Sequence, residues 1–386
     1  MSTSLDSFVQ LIHDAPGQVV LAMSGGGSRA IAELLEVPGA SRTLLEAVVP
    51  YSEASLISWL GGRPDQFCGA PTARAMAVVA LGRARQYGAP DDLAAGIAAT
   101  AGLSTDRPKR GAHRAHVALQ TASRTATWSV EFRKDLRSRV EEERVVSRML
   151  LNATARACGI PVQLDLPLAG EEEVEHDETI APPAWRDLLL GKAEMVLASG
   201  GEGAAGSPAG APAAPVPRAI LPGAFNPPHA GHLRIADVGR EILGLPVAVE
   251  MSIRNVDKPP LDYYEIQRRF RLLPAELPVC LSRAATFEEK SRLFPGATFL
   301  VGVDTLRRIA SPQYYSNDAA ACLRALEAIA QRGCRFLVFG RDMGTGFVRL
   351  GDLDVPGVLR RISREVPPEL FREDVSSAAI RKSGEW

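Results

Sequence analysis

The sequence predicts an α/β protein made of two α/β domains, the C-terminal one a Rossmann-like parallel sheet. Three observations lead there. Short apolar runs alternate with amphipathic stretches along most of the 386 residues, the pattern of strands joined by helical crossovers. Residues 199–217 are almost entirely Gly, Ala, Ser and Pro without apolar periodicity, so they read as a flexible linker. In the second half, the residues that follow the apolar runs are Gly-rich or polar, as expected where ligands sit at the C-terminal ends of parallel strands. The expected division is an α/β domain over 1–165, an acidic and Gly/Ala/Pro-rich linker over 166–217, and a second domain over 218–386.

In the first half, residues 5–13 are amphipathic and helical, 19–23 a buried strand, 24–28 a glycine loop and 29–35 a helix. Pro38-Gly39-Ala40-Ser41 ends that helix, and 43–51 read as helix then strand. Helices are expected at 53–60, 71–87 and 91–93, strands at 94–101 and 116–121, and a long charged helix over 133–157. The acidic run 171–178 reads as solvated, and 185–197 as one amphipathic helix. In the second half, strands are expected at 219–221, 247–253, 279–282, 297–303 and 335–340. Helices are expected at 230–243, 263–273, 287–294 and 317–332.

Composition bounds the partners. A net charge of −1, with 23% charged and 46% hydrophobic residues, is that of an average soluble protein and gives no support to nucleic-acid binding through a basic face. The five cysteines form no CxxC pair, which points to reduced thiols and a cytoplasmic setting. No basic-then-apolar leader opens the sequence and no run approaches the length of a membrane span, so neither signal peptide nor membrane is expected. Only six of the 44 basic residues are lysines, so each lysine position carries information.

The chemistry concentrates in Arg218-Ala-Ile-Leu-Pro-Gly-Ala-Phe-Asn-Pro-Pro-His-Ala-Gly-His-Leu-Arg234. A strand ends, a Gly/Pro-rich turn follows, and a helix begins at His229 and His232. Such a corner has unspent backbone N–H groups and the positive end of a helix dipole, which suits phosphate. Two histidines three apart share one helix face, and Gly231 lets backbone approach a ligand closely.

This stretch resembles the nucleotidylyltransferase superfamily pattern Gly-x-Phe-x-Pro-x-His-x-Gly-His, met at Gly223, Phe225, Pro227, His229, Gly231 and His232. Near the end, Val375-Ser376-Ser377-Ala378-Ala379-Ile380-Arg381 is similar to the family's Ile-Ser-Ser-Thr-x-Ile-Arg, with Ala378 in place of Thr and Val375 in place of Ile. The resemblance implies catalysis by His229, His232 and Arg381. It implies nucleotide binding by Gly223, Ala224, Phe225, Gly231, Ser376 and Ser377, with Mg2+ carried by the nucleotide phosphates. Val301-Gly302-Val303-Asp304-Thr305 looks like a segment of the nicotinamide/nicotinate mononucleotide adenylyltransferases, in which Asp304 would bond the nucleotide sugar; Asp304 as a helix N-cap is the alternative. Asn255 and Lys258 stand where those enzymes hold the acceptor. The implied partners are ATP and a mononucleotide. A cytidylyltransferase for a phosphorylated head group and a non-catalytic nucleotide sensor are the alternatives.

Residues 18–122 resemble the CinA C-terminal family, whose active members are nicotinamide-nucleotide amidases. Ala22-Met23-Ser24-Gly25-Gly26-Gly27-Ser28 stands for that family's serine loop, and Ser41 and Tyr51-Ser52 keep its later spacing. The family's activating lysine, five residues after the Tyr, is Leu56 here. A serine hydroxyl needs a base to become a nucleophile, so Ser24, Ser41 and Tyr51 read as a vestigial amidase site. The domain then serves nucleotide binding or homo-oligomer formation, and its glycine loop either cradles a phosphate or is an ordinary tight turn.

Overall fold

The structure, a computed structural model, describes residues 4–106, 110–199, 215–342 and 346–372. They divide into two compact units. The first runs to Arg186 and includes Asp257–Ile266; the second comprises Asp187–Val256 and the described residues from Gln267 onward.

The first unit is a six-stranded sheet between two layers of helices. Its strands are β1 (Gln18–Ser24), β2 (Leu44–Val48), β3 (Ala94–Gly102), β4 (His113–Thr121), β5 (Arg124–Phe132) and β6 (Val174–Ile180), in spatial order β2-β1-β3-β4-β5-β6. β2, β1 and β3 are parallel, and β3 to β6 run antiparallel. On one face pack α1 (Leu5–Asp14), α2 (Arg29–Glu36) and α6 (Arg139–Ala157), with the short α3 (Ala40–Thr43) between β1 and β2 in sequence. On the other face lie α4 (Glu53–Leu60) and α5 (Ala70–Gln86). At Gly96 a Cβ would meet the Ala77 carbonyl at 2.0 Å; only glycine lets α5 approach β3 so closely.

Several elements differ from the sequence reading. The charged helix begins at Arg139, not 133, because Ser138 and Glu141 form a reciprocal capping box there. β5 was not anticipated, although Ala126, Trp128, Val130 and Phe132 alternate with polar residues as a half-buried strand requires. The acidic run is solvated, as its charges imply, but from Val174 it belongs to strand β6, paired with β5, rather than to a linker. Its charge is matched across the sheet surface: Glu178 binds Arg124 at 3.0 Å and Arg156 at 2.9 Å, and His176 stacks on Trp128 at 5.1 Å. Residues 91–93 form a turn.

The second unit is a seven-stranded sheet of order β15-β12-β11-β8-β9-β10-β7. Its strands are β7 (Met195–Ser199), β8 (Ala219–Pro222), β9 (Val247–Ser252), β10 (Pro278–Ser282), β11 (Thr298–Gly302), β12 (Arg335–Phe339) and β15 (Ser363–Glu365). All are parallel except the edge strand β7, which runs against β10. A two-residue ribbon, β13 (Arg341–Asp342) and β14 (Phe347–Val348), stands apart. The helices are α8 (Ala230–Leu243), α9 (Tyr263–Arg271), which counts with this unit from Gln267 onward, α10 (Phe287–Leu293), α11 (Val303–Ile309), α12 (Ala319–Gln331) and α13 (Gly357–Arg361). The expected helix over 185–197 is two elements, α7 (Pro183–Leu190) and then β7, so strand pairing claims the second half of that amphipathic run. Among the described residues no helix is long and apolar enough to cross a membrane.

This strand order positions the candidate site. β8 comes first in the parallel run; β9 and β10 extend the sheet to one side, and β11 and β12 to the other. The order therefore reverses between β8 and β11, and a doubly wound sheet opens its ligand crevice at the carboxyl ends of such a pair. The β8 end carries residues 223–232, and the β11 end carries Asp304. Beneath, the buried carboxylate of Glu250 on β9 is paired with Lys290 at 2.7 Å and receives the Ser282 hydroxyl at 2.5 Å.

Candidate functional site

β8 ends at Pro222 and the chain turns over its own aromatic ring. The Gly223 N–H donates to the Glu250 carbonyl of β9 at 3.0 Å, tying the turn to the sheet. A Cβ on Gly223 would lie 2.7 Å from the Phe225 ring, so glycine is required by that contact. Phe225 is buried and has φ of +46°, a conformation that costs a non-glycine residue on the order of 1 kcal/mol. The Asn226-Pro227 peptide is cis, and α8 starts directly after His229.

The two histidines come together as the spacing implied. Their rings lie against each other, tilted by 30° with centroids 3.7 Å apart, and His232 also lies 4.9 Å from the Phe225 ring. The His229 backbone N–H donates to His232 Nδ1 at 3.2 Å, and the His229 carbonyl accepts from His232 N–H at 2.9 Å. Burial, and then the neighbouring His229, hold the His232 pKa down at about 3. His232 is therefore a neutral imidazole near neutral pH. Because its Nδ1 accepts, the ring proton sits on Nε2, which leaves Nε2–H as a donor. Gly231 is buried in the first turn of α8.

Two arginines unremarked in the sequence hold the turn. Arg269 Nη1 donates to the Ala224 carbonyl at 2.9 Å, and Arg268 donates to Asn226 Oδ1. Twin arginines in an amphipathic helix read as a solvated face, yet Arg269 is buried. Asp304 is not a helix cap: Gly302 holds that position, and Asp304, one residue into α11, pairs with Arg341 at 3.2 Å. Asn255 donates to the Ser252 carbonyl at 3.5 Å, while Lys258 is an exposed residue of the segment counted with the first unit. Ser376, Ser377 and Arg381 lie outside the described residues.

Residues 220–383 match the family model described as cytidylyltransferase-like. This part of the chain is thus similar to the cytidylyltransferase-like nucleotidyltransferases. No curated protein matches the chain. The N-terminal region resembles solved structures of the CinA group. One is the competence/damage-inducible protein CihA from Agrobacterium tumefaciens, at 20% identity, covering 41% of this chain and 98% of that one with a TM-score of 0.31. Another is a competence or damage-inducible protein from Enterobacter asburiae, at 16% identity, 41% and 98% coverage and a TM-score of 0.32. A third is a CinA superfamily protein from Escherichia coli, at 15% identity, 40% and 88% coverage and a TM-score of 0.31.

The first unit's glycine loop is shaped differently from the phosphate cradle considered above. Gly27 N–H, Ser28 N–H and the Ser28 hydroxyl donate to the Glu143 carboxylate of α6 at 2.8, 2.6 and 2.8 Å. Arg139, four residues earlier, donates to the carbonyls of Gly25 at 3.2 Å and Ser104 at 2.9 Å. Glu142 takes Ser104 N–H at 2.6 Å and His113 Nδ1 at 2.8 Å. One turn of α6 thus fastens the loops that follow β1 and β3. A cavity of about 350 Å³ beside it is lined by Gly25, Gly26, Arg29, Tyr51, Arg139 and Glu143, among others.

Of the three residues read as a vestigial amidase site, Tyr51 lines this cavity; Ser24 and Ser41 are not among its lining residues. Ser24 falls in a row with Thr100, His116 and Ser129 by strand register. That row lies on the sheet face of Ala22, which packs with α4 and α5, whereas Met23 on the opposite face lines the cavity. Leu56, at the place of the family's lysine, is 2% exposed in the apolar cluster of that same face.

Proposed function

We propose that the second unit transfers the adenylyl group of ATP to nicotinamide or nicotinate mononucleotide, giving a dinucleotide and pyrophosphate. The observation that carries nucleotidyl transfer is the close His229–His232 ring pair, with His232 against Phe225, at a strand-order switch point, within a stretch that matches the cytidylyltransferase-like model. The acceptor phosphate oxygen attacks the α-phosphorus of ATP, and the bond to the pyrophosphate oxygen breaks. Such a step asks the protein for position and charge neutralisation rather than covalent chemistry. His232 Nε2–H and the backbone N–H groups of Ala230 and Gly231 in the first turn of α8 are donors suited to the phosphate chain.

Among the described residues no group of three or more His, Cys, Asp or Glu side chains is placed to hold a metal ion. The imidazole and amide donors of the corner suit phosphates that carry their own ion, so Mg2+ is proposed to arrive on ATP, where it neutralises phosphate charge when bound. Asp304 stands at the β11 end beside the crevice, a place from which a carboxylate can accept from sugar hydroxyls. Its segment and the resemblance of residues 18–122 to an amidase family of the same pyridine nucleotides support the acceptor. We propose no amidase role for the first unit: its serine has an apolar residue where the base belongs, and its loop amides already hold Glu143.

A second reading, cytidylyl transfer to a phosphorylated head group, is favoured by the description of the matching family model. Pyrophosphate release by the full chain separates the two. ATP with either mononucleotide is expected to release pyrophosphate. Release only with CTP and phosphocholine or glycerol phosphate would replace the first reading with the second.

A further inference from the structure

The corner after β8 contains Phe225 in the left-handed region, and the bonds from α9 fall on either side of it. Arg269 binds the carbonyl of Ala224, and Arg268 binds the side-chain oxygen of Asn226. Strained residues persist where the surroundings over-determine them. Here the bracketing is done by two consecutive guanidiniums, and Arg269 is only 7% exposed. A buried guanidinium is costly unless fixed acceptors receive it. Its planar fork loses less freedom per bond than a lysine would. Phe270 in the same turn of α9 and Leu273 just beyond its end are both buried and anchor the segment.

The atoms chosen matter more than the grip. A peptide unit is planar and trans, so the carbonyl of Ala224 and the N–H of Phe225 point in opposite directions. By holding that carbonyl, Arg269 turns the Phe225 N–H away from α9. By holding Asn226 Oδ1, Arg268 turns the Nδ2 amide to the opposite side. Both arginines therefore occupy acceptors of the loop and direct its donors the other way. They also fix two positive charges behind a turn that precedes a helix N-terminus.

We propose that Arg268 and Arg269 are positioning residues of the nucleotide site, which aim the Phe225 N–H and the Asn226 side-chain amide at the phosphates of a bound nucleoside triphosphate. The proposal rests on the reading of the second unit as a nucleotidyltransferase. It assigns the arginines an orienting role, with the phosphate contacts made by the loop they hold.

The test uses the full chain with R268M, R269M and R269K. It measures affinity for a fluorescent ATP analogue, pyrophosphate-release kinetics and the unfolding midpoint of each variant. R269M is expected to weaken triphosphate binding by about tenfold or more, the scale of one charge-assisted hydrogen bond. The KM for the acceptor should stay unchanged. R269K, which restores the charge without the fork, should recover only part of the loss. R268M, at a half-exposed position, decides the matter if R269M does not fold. Triphosphate affinities of R268M and R269M within about twofold of the parent would overturn the proposal; so would a loss of affinity matched by an equal loss for the acceptor. A parent protein that binds the analogue but releases no pyrophosphate defeats the functional reading alone, because the binding series still judges the arginines. A parent protein that binds no triphosphate defeats both.

Discussion

The two units each place a glycine-containing turn between a parallel strand and a helix, and they stabilise it with side chains of opposite charge. After β1, an anion holds the turn: the Glu143 carboxylate takes two loop N–H groups and a hydroxyl. After β8, cations hold it: Arg268 and Arg269 take a side-chain oxygen and a carbonyl. The difference decides what each turn has left to offer. An internal carboxylate consumes the donors that make a strand–helix corner attractive to phosphate. Guanidiniums on the acceptors consume none, although the corner itself spends the backbone N–H groups of Gly223, His229 and His232. Two local architectures of the same kind thus differ in availability, and the sign of the supporting residue makes the difference.

Substitutions test the contrast from both sides. The largest effect is expected at the second corner. His232→Ala removes the Nε2–H donor, and pyrophosphate release should fall by about a hundredfold or more, as when one preorganised donor is lost from an anion-stabilising site. Full turnover in that variant would detach the histidine pair from catalysis. At the first corner the effect should be on stability. Glu143→Ala leaves Gly27 and Ser28 N–H without their carboxylate, and chemical denaturation should show a loss of about 1–3 kcal/mol with pyrophosphate release unchanged. An unaltered midpoint would mean that the carboxylate does not hold the loop.

Acidity acts more gradually. The pKa of His232 is held at about 3 and that of His116 at about 4, both chiefly by burial, with Arg114 and Arg74 adding to the effect at His116. The ordinary histidine value is 6.5. The unfolded chain therefore takes up protons below that pH which the folded chain refuses. Stability is full above 6.5 and falls as the pH drops from there toward 3 to 4, by up to about 1.4 kcal/mol per unit for each histidine. His232→Gln should flatten this slope in denaturation curves between pH 6.5 and 4.5. An equal slope in that variant would contradict the assignment of a buried neutral ring.

The second unit was largely legible because its signals are local. Parallel strands buried on both faces appear as apolar runs, and the turn after β8 uses the Gly and Pro residues that a tight corner needs. The closeness of the two histidines follows from their spacing at the start of a helix. The supporting arginines were not legible, since an arginine inside a helix looks the same whether it meets water or a carbonyl from a distant loop. Glu143 was hidden in the same way within a charged helix, 115 residues from the Ser28 it binds. The strand β6 was missed because its seven residues are mostly charged or polar; pairing with β5 and the Arg124–Glu178–Arg156 contacts make it a strand. Long-range charge matching is the common element in what the sequence concealed.

Amide hydrogen exchange of the full chain, with and without ATP and Mg2+, compares both corners in one measurement. Slowed exchange across residues 223–233, with residues 24–29 unchanged, is the outcome predicted by an open second corner and a first corner closed by Glu143. Protection at 24–29 with none at 223–233 would contradict the account.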